Sequence, residues 1–310
     1  MAKPSIRNLV TDLAATLREE VLPHLGGHAG RAHSGEAEGG DVTFQIDEHA
    51  ERRMEAYLAE RAPEVSFYSE DRGLVSPEGD PAEWVLVVDP IDGTRPALAG
   101  LESCCISVAA ARLGREPTMG DVQAGCVMEL KSGQSFVAER GAGLEPAGNL
   151  SDNRAVERMF WTYGFRGRPA RALVEVLAEL IDRSSVGGGT FDLGSATFNM
   201  TRIATGQLDA YVEPGPRIID DIPAMRAEFE RVGGGAVLNN SPYDLAAAVI
   251  CLEECGAVVT DAYGQPLAAR PLLGSDHEFQ MSCVAAANRE LHAAICAEID
   301  AGIERLRAIV

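Results

Sequence analysis

The sequence predicts an α+β fold in two halves, and three of its features lead to that prediction. Short apolar runs separated by Gly, Pro and polar turns fill residues 65–137, a pattern that favours an antiparallel sheet. After residue 149, segments with helical spacing alternate with strand-like runs. A chain of 310 residues, 46% of them hydrophobic, can bury a sizeable core in one large domain or two packed ones. We place the halves at residues 1–149 and 150–310.

The N-terminal half begins with two predicted helices and a loop between them. Residues 5–24 have apolar spacing close to helical, and residues 26–41 (GGHAGRAHSGEAEGGD) form a loop by composition. The run DVTFQIDEHAERRMEAYLAERAP predicts a short extended segment and then a helix that starts beside Asp47 and ends before Pro63. The strands of the sheet follow in the runs VSFYSED, WVLVVDP, SCCISVAAARL, AGCVMEL and SFVAERG.

The C-terminal half alternates helices with strands. The run RALVEVLAELIDR predicts a helix, FDLGSATFNMTRIATG a strand end followed by a helix, LDAYVEP a strand, and YDLAAAVICLEECGAVVTDAYGQPL a helix followed by a strand. Residues 215–241 stand between the last two runs and have a helical middle, PAMRAEFERVG, flanked by glycines. Because this segment joins two regions expected at the functional site, it is a candidate lid, substrate wall or dimer contact.

Composition and charge exclude several classes of function. The 27 basic and 47 acidic side chains give a net charge of −20, which repels the backbone of a nucleic acid. No apolar run approaches the roughly 20 residues of a membrane-spanning helix, and the amphipathic N-terminus fits no signal or transit peptide, so we expect a soluble, cytoplasmic protein. Its seven scattered cysteines favour a reducing compartment, and Cys251 with Cys255 are better interpreted as buried thiols than as a zinc site.

The stretch WVLVVDPIDGT, residues 84–94, is the most informative part of the sequence. An apolar strand delivers Asp89 and Asp92 on either side of a turn that begins with Pro90. The turn can aim both carboxylates and the Ile91 carbonyl at one point, and ligation by oxygen alone suits Mg²⁺ or Mn²⁺. In so acidic a protein, such cations would also supply the positive charge that phosphate binding needs. The alternative is an ordinary Asx-Pro turn at a strand end.

Other candidate residues surround this motif. Gly93 and Thr94 lead into a short predicted helix, whose first backbone N–H groups suit phosphate oxygens. Glu70 ends an earlier strand and Asp244 starts a later helix, so both can reach the same point. Each has a simpler interpretation: Asp47 complements its helix dipole, Glu70 is a solvated loop acid, and Thr94 and Asp244 are helix caps.

Taken together, these motifs resemble the inositol monophosphatase family, within the superfamily that includes fructose-1,6-bisphosphatases and bisphosphate nucleotidases. The similarity spans nearly the whole chain through DVTFQID, SED, VVDPIDGT, AGCVMELKSGQSFVAERGAG, GSATFNMTRIATGQLDAYVE and YDLAAAVICLEECGAVVTD. The resemblance implies a layered αβαβα sandwich with the active site between its halves. It also implies a phosphatase with two or three Mg²⁺ ions, for which Mn²⁺ can substitute, acting on a small phosphorylated substrate as a homodimer.

The resemblance further implies a role for each site residue. One metal would be held by Glu70, Asp89 and the Ile91 carbonyl, and a second by Asp89, Asp92 and Asp244. The catalytic residues would be Asp47 and Thr94, which orient and deprotonate the attacking water, and Glu70, which reaches a third cation. The substrate-binding residues would be Asp92, Gly93 and Thr94 at the phosphate, and Gly194, Ser195, Ala196 and Glu213 at the alcohol moiety.

The chain departs from the family pattern at three places. Arg95, Pro96 and Ala97 follow the GT pair, and the loop before Asp47 offers His28, Arg31 and His33 but no lysine, which puts a third metal and lithium sensitivity in doubt. The third departure is the insertion at 215–241, where Arg217 is a further candidate substrate ligand. Arg95, Arg217 and Tyr243 are the candidates for recognising the distal end of the substrate.

We therefore expect hydrolysis of a phosphate monoester on a small polyol, sugar, amino alcohol or nucleotide. A sugar bisphosphatase or a 3′-phosphonucleotide phosphatase is the alternative, since the same metal cluster serves both. A catalytically silent relative that binds metal is the hypothesis from a different class.

Overall fold

Two β-sheets alternate with three layers of helices in the computed structural model, which describes residues 5–27, 33–36, 42–78 and 82–310. A pair of N-terminal helices covers the outer face of the first sheet, two helices lie between the sheets, and two more cover the outer face of the second sheet. This arrangement confirms the expected α+β sandwich with its αβαβα order of layers.

The first sheet has seven strands among the described residues, in the order β4-β3-β5-β6-β7-β8-β9. Its helices and strands, with the separate β1–β2 hairpin, are α1 (Ile6–Val21), β1 (His33–Glu36), β2 (Val42–Phe44), α2 (Gln45–Arg61), β3 (Ser66–Ser69), β4 (Gly73–Val75), β5 (Trp84–Asp92), α3 (Thr94–Ala99), β6 (Cys105–Arg112), β7 (Val122–Glu129), β8 (Ser135–Glu139) and β9 (Gly143–Glu145). Helices α1 and α2 pack on one face of this sheet.

The first sheet is mixed, so the expectation of a wholly antiparallel sheet was wrong. Strand β4 turns back on the outer side of β3, and the chain then returns to place β5 on the other side of β3 and parallel to it. The carboxyl ends of β3 and β5 therefore meet at one edge of the sheet. This edge brings Glu70, which follows β3, towards Asp89 and Asp92 at the end of β5.

The second sheet has five strands among the described residues, in the order β11-β10-β12-β14-β13. The helices and strands of this half are β10 (Phe160–Tyr163), α4 (Ala170–Ser184), β11 (Gly189–Phe191), α5 (Ala196–Ala204), β12 (Ala210–Glu213), α6 (Gly215–Asp221), α7 (Arg226–Val232), α8 (Pro242–Glu254), β13 (Val258–Thr260), β14 (Cys283–Ala286) and α9 (Arg289–Ile309). The inserted segment contains α6 as well as the expected helix, α7.

Helices α5 and α8 form the layer between the two sheets. Their apolar side chains share one buried core with strands of both halves, for example Leu245 of α8 with Val127 of β7 and Ala285 of β14. At Gly125 a β-carbon would lie 2.6 Å from Ile250 Cγ2 and 3.0 Å from the Ala247 carbonyl oxygen, so a glycine is needed for α8 to approach β7 this closely. The halves thus share a core, and the division between residues 149 and 150 stays a prediction.

The described residues contain no helix with both the length and the apolar character needed to cross a bilayer. All seven cysteines are free thiols. Cys251 is buried and its thiol lies 3.5 Å from the Phe136 carbonyl oxygen, which agrees with the buried-thiol interpretation.

Candidate active site

The end of β5 forms a turn that its own polar groups hold together. Pairing with β6 is interrupted between Asp89 and Asp92, which lifts this turn out of the regular ladder. The Asp89 Oδ1 atom accepts the Ile91 N–H at 2.9 Å, and the Ile91 carbonyl oxygen accepts the Thr94 hydroxyl at 3.1 Å. The strand therefore delivers two buried carboxylates in fixed orientations, as the DPIDGT motif predicts.

The carboxylate of Asp92 is oriented from the other half of the protein. Its Oδ2 atom accepts hydrogen bonds from the Ser195 hydroxyl at 2.7 Å, from the Thr197 N–H at 2.6 Å and from the Thr197 hydroxyl. The Ser195 hydroxyl also caps α5 by accepting the Phe198 N–H at 3.1 Å. These donors hold Oδ2 in place, so the orientation of the whole carboxylate is fixed.

Asp244 reaches the same place from the first turn of α8. Its Oδ2 atom accepts the Ser241 N–H at 2.6 Å, so it completes a capping box rather than occupying the N-cap position itself. One carboxylate oxygen each of Asp89, Asp92 and Asp244 lie within 4.8 Å of one another. The donors are all oxygens, and this set fits a hard divalent cation such as Mg²⁺ or Mn²⁺.

Burial and mutual repulsion perturb these three carboxylates. Burial raises the pKa of Asp89 well above its usual range, and Asp92, Glu70 and Asp244 raise it further. Burial also raises the pKa of Asp92, against the hydrogen bonds from Thr197 and Ser195. Burial, followed by the charge of Asp92, raises the pKa of Asp244 to about 8. Asp89 and Asp92 are buried and Asp244 is half-buried. A divalent cation would stabilise the charged form of three acids that disfavour one another's charge.

Asp47 and Thr94 are hydrogen-bonded to each other beside this cluster. The Thr94 hydroxyl lies 3.2 Å from Asp47 Oδ1, while Asp47 Oδ2 accepts the Phe44 N–H at 2.9 Å. Asp47 therefore binds the backbone N–H of Phe44, the N-cap of α2, and also faces Thr94, so its structural and catalytic interpretations are compatible. Thr94 is the first residue of α3, and Gly93 rather than Thr94 is the N-cap.

Most of the predicted site residues line one cavity of about 490 Å³. Those that line it are Asp47, Glu70, Asp89, Ile91, Asp92, Gly93, Thr94, Gly194 and Asp244. Asp71, Arg95 and Arg166 line it as well. Gly93 has φ +89°, and a β-carbon there would lie 2.7 Å from the Ser103 carbonyl oxygen, so only glycine fits.

A second cavity of about 470 Å³ adjoins the first and shares Asp92, Gly194, Asp244 and Arg166 with it. The predicted residues Ser195 and Ala196 line this second cavity, with Arg168, Asn199, Tyr211, Asn239 and Asn240. Within the described part of the chain, the buried Oδ1 of Asn199 and both amide atoms of Asn239 find no hydrogen-bond partner. Buried amides that face a cavity in this state are suited to binding a polar ligand.

Glu213, which the family resemblance places at the alcohol moiety, lies outside both cavities, and its substrate contact stays a prediction. Glu213 is fully buried, forms an ion pair with the Arg168 guanidinium, and accepts the Gly215 N–H at 2.8 Å. It lines neither cavity. Arg168 instead stands between this carboxylate and the second cavity, where it also donates to Asn240 Oδ1 at 3.2 Å. The pairing itself is not specified by a local motif, because 45 residues separate Arg168 from Glu213.

Arg217 and Tyr243, expected to contact the distal end of the substrate, line neither of the two cavities. The Arg217 guanidinium donates to Asp221 at 3.1 Å and to the Ala262 carbonyl at 2.6 Å, and lies 2.7 Å from an Asp300 oxygen. Tyr243 is buried in the middle layer, where its ring stacks on Tyr68 at a centroid distance of 6.3 Å. The inserted segment therefore supplies Asn239 and Asn240 to the second cavity, and its Arg217 stabilises the fold.

Arg95 lies at the rim of the first cavity. Its guanidinium carbon is 5.7 Å from the centroid of the Phe44 ring, and its side chain is exposed. The loop residues His28 and Arg31, and the side chain of His33, lie outside the described residues.

Comparison with known proteins identifies the family. The model of the inositol monophosphatase family matches residues 4–304. The chain belongs to the inositol monophosphatase family. It is thus an enzyme of a phosphatase family, the phosphoric monoester hydrolases, as its motifs predict.

Its relatives include enzymes with one or two named activities. An inositol-1-monophosphatase of Mesorhizobium japonicum is 27% identical over 232 residues, which cover 73% of this chain and 74% of that protein. A fructose-1,6-bisphosphatase/inositol-1-monophosphatase of Methanothermobacter thermautotrophicus is 29% identical over 264 residues, with 82% and 81% covered. The solved structure of the IMPase of Thermotoga maritima has a TM-score of 0.69 at 21% identity and covers 96% of this chain and 98% of that one, which shows the shared fold.

Three residues at or beside the site of this inositol monophosphatase family member were not predicted from the sequence. Thr197 orients Asp92, Arg168 binds Glu213, and Arg166 lines both cavities. The run YGFRGR that carries both arginines follows a strand and offers basic side chains in a very acidic chain, and that is the signal that could have found them.

Proposed function

We propose that this protein hydrolyses small phosphate monoesters with Mg²⁺ bound to the carboxylate cluster. The observation that carries the proposal is the convergence of Asp89, Asp92 and Asp244 on one point, beside the hydrogen-bonded Asp47 and Thr94. The predicted ligands Glu70 and the Ile91 carbonyl line the same cavity. Mg²⁺ bound there would neutralise the phosphate and lower the pKa of a water molecule.

The residues of the chain have separate tasks in this reaction. The Thr94 hydroxyl lies within hydrogen-bond distance of both Asp47 Oδ1 and the Ile91 carbonyl oxygen, and it has one proton to donate. In this proposal the hydroxyl donates to Asp47 while one of its lone pairs orients the attacking water, so that Asp47 accepts a proton through Thr94. Ser195 and Thr197 hold Asp92 still, so that its other oxygen keeps its position during turnover. Gly93 and Thr94 bring backbone N–H groups to the phosphate side of the cavity.

The second cavity is where the alcohol part of the substrate binds in this proposal. Because the Glu213 carboxylate forms an ion pair with Arg168, the amides of Asn199 and Asn239 are the groups that would hydrogen-bond to the substrate hydroxyls. Gly194, Ser195 and Ala196 form the adjoining wall. The substrate is thus a compact polar alcohol, as in an inositol, sugar or amino alcohol phosphate.

Arg166 favours a second candidate function, hydrolysis of a sugar bisphosphate. It lines the metal-side cavity and the second cavity, and its charge lowers the pKa of Asp244. A guanidinium in this position suits a second phosphate at the far end of a substrate. The 3′-phosphonucleotide alternative uses the same charge.

The test is phosphate release from a panel of inositol, histidinol, fructose and nucleotide phosphates, with Mg²⁺ and then with a chelator. We expect release from at least one monoester that stops on chelation and resumes with Mg²⁺. A preference for fructose bisphosphate that Arg166→Gln removes, with an equal rate on a simple monoester, would establish the second candidate. No release from any compound, with metal still bound, would make the chain a silent relative.

Assembly and location belong to the same proposal. The seven free thiols support a reducing, cytoplasmic setting. A homodimer is supported by exposed apolar side chains at the edge of the second sheet, where the Phe160 and Phe191 rings stack 6.4 Å apart and Val186 is 95% exposed. Light scattering of Phe160→Ser against the wild type measures this directly, since loss of the dimer is expected.

A further inference from the structure

We propose that Glu20, His24 and His49 form a second metal site, for a borderline divalent cation such as Zn²⁺, separate from the carboxylate cluster. One ligating atom from each side chain lies within 4.8 Å of the other two. Two imidazoles and a carboxylate are the donors that Zn²⁺ prefers, whereas Mg²⁺ takes oxygen ligands. The two sites therefore differ in the metal that each selects.

The arrangement of the two imidazoles agrees with shared coordination. A Zn–N distance of about 2.0–2.1 Å puts each ring centroid ~3.2 Å from the ion, and tetrahedral geometry then separates the two centroids by ~5.2 Å. The centroids of His24 and His49 are 5.3 Å apart, with the ring planes inclined at 68°. The rings already stand at the separation that one bound ion requires. Glu20 closes the third position, and a water molecule completes the tetrahedron.

The site stands on a rigid base. Glu20 lies in the last turn of α1, His24 follows it in a turn of 3₁₀ helix, and His49 lies in the second turn of α2. Below them, α1 and α2 pack through buried side chains such as Leu17 and Ala50. The imidazoles are exposed and Glu20 is half-buried, so the donors can close on an ion without disturbing the core.

Local electrostatics favour a cation at this position. The carboxylates of Glu19 and Glu20 lie at the negative end of the α1 dipole, where acidic side chains are unfavourable. The one basic residue of this turn, Arg18, points to the Leu130 and Lys131 carbonyls at 2.8 and 3.1 Å. A bound divalent cation offsets both the carboxylates and the helix end.

The position of the site links it to the catalytic cavity. His49 lies two residues after Asp47 on the same helix, and Gly26, just after the His24 turn, donates its N–H to the Ala97 carbonyl of α3 at 2.9 Å. An ion held by His24 and His49 thus ties α1 to the helix that carries Asp47. Zn²⁺ is accordingly expected to raise the melting temperature.

Calorimetric titration of the Mg²⁺-saturated protein with ZnCl₂ tests the site. We expect one Zn²⁺ per chain that Mg²⁺ does not displace, with affinity reduced at least about tenfold in Glu20→Gln, His24→Gln and His49→Gln. Glu19→Gln, which changes a neighbouring carboxylate outside the donor set, is the matched control and should bind as the wild type does. Zn²⁺ held by the catalytic carboxylates would remain in all four variants.

The result that overturns the proposal is Zn²⁺ binding of equal affinity in the wild type and the two histidine variants, or no Zn²⁺ binding beyond what Mg²⁺ displaces. Co²⁺ spectra provide a second measurement, since nitrogen ligation of Co²⁺ gives visible bands that His49→Gln should weaken. Phosphatase activity with Mg²⁺ is expected to be unchanged in these variants, so failure of this site and failure of the proposed function are distinguishable.

Discussion

The proposed phosphate side and the proposed alcohol side of the active site are built differently. The phosphate side comes from one continuous turn, in which Asp89, Ile91 and Thr94 hydrogen-bond to one another within six residues. The alcohol side is assembled from separate segments that meet only in the folded protein, such as the Arg168 and Glu213 pair. The residues of the first side can be predicted from a motif, whereas those of the second side depend on long-range contacts that a motif does not specify.

Asp92→Asn is expected to have the largest effect on turnover, because Asp92 is a proposed metal ligand and lines both cavities. An asparagine can place its amide oxygen on the donors of Ser195 and Thr197, but its NH2 group then stands where the other carboxylate oxygen was. The NH2 group cannot bind a cation, and the side chain has no negative charge. We expect kcat to fall about 10³-fold. Without metal, the variant should melt at a higher temperature than the wild type, since one of three mutually repelling acids is gone.

Steady-state kinetics and melting curves with Mg²⁺ and with a chelator check this prediction. Chelation should lower the melting temperature of the wild type far more than that of the variant. Activity within tenfold of the wild type would remove Asp92 from the metal site.

Glu213→Gln distinguishes most clearly between a role of Glu213 in substrate binding and a role in stability. If Arg168 keeps Glu213 away from the substrate, activity on an inositol phosphate should fall less than about tenfold, while stability falls by about 3 kcal/mol because a buried guanidinium loses its partner. Arg168→Met combined with Glu213→Met removes both charges and should recover much of that stability. Denaturant unfolding and kcat/KM measure the two effects. A large rise in KM with unchanged stability would return Glu213 to the substrate.

Arg217→Met is expected to have little effect on catalysis. The guanidinium supports the fold by binding Asp221, Asp300 and the Ala262 carbonyl, so we expect kcat/KM to stay within about twofold and stability to fall by about 1–3 kcal/mol. Arg226→Met, on the exposed face of α7, is the matched control and should leave both values unchanged. A KM that rises for a bisphosphate alone would show that Arg217 reaches the substrate.

Glu51→Gln is expected to change stability and to have the smallest effect on catalysis. Glu51 lies one turn after Asp47 on α2. Burial raises the pKa of Glu51 to about 7, and its Oε2 accepts the Ser69 hydroxyl at 3.0 Å. The folded protein therefore binds this proton more tightly than the unfolded chain. The stability that the protonated form contributes, about 3 kcal/mol, is complete below about pH 4.5 and is lost as the pH rises through 7.

Thermal melts of Glu51→Gln and the wild type at pH 5 and pH 8 measure this linkage. We expect the variant to melt at the higher temperature at pH 8 and the difference to shrink towards pH 5. Glu60→Gln, an exposed acid of the same helix, should show no such trend. An equal difference at both pH values would contradict the raised pKa.

The sequence alone determined the fold class and the family, and it predicted the acidic residues that the structure brings together at one cavity. These follow from local chemistry: the DPIDGT run forms a turn at a strand end, and Asp47 and Asp244 start helices, so each position is set by neighbours along the chain. Strand directions were less well determined, because the parallel pairing of β3 with β5 depends on which side of β3 the chain returns.

Only the tertiary structure decided which polar groups pair with which. Thr197 binds Asp92 across 105 residues, Arg168 pairs with the buried Glu213, and His24 meets His49 through the packing of α1 on α2. A charged side chain carries no mark in the sequence of the partner that it will find. Its partner is set by long-range packing, because a buried charge is stable only where the fold supplies the opposite charge or a hydrogen bond.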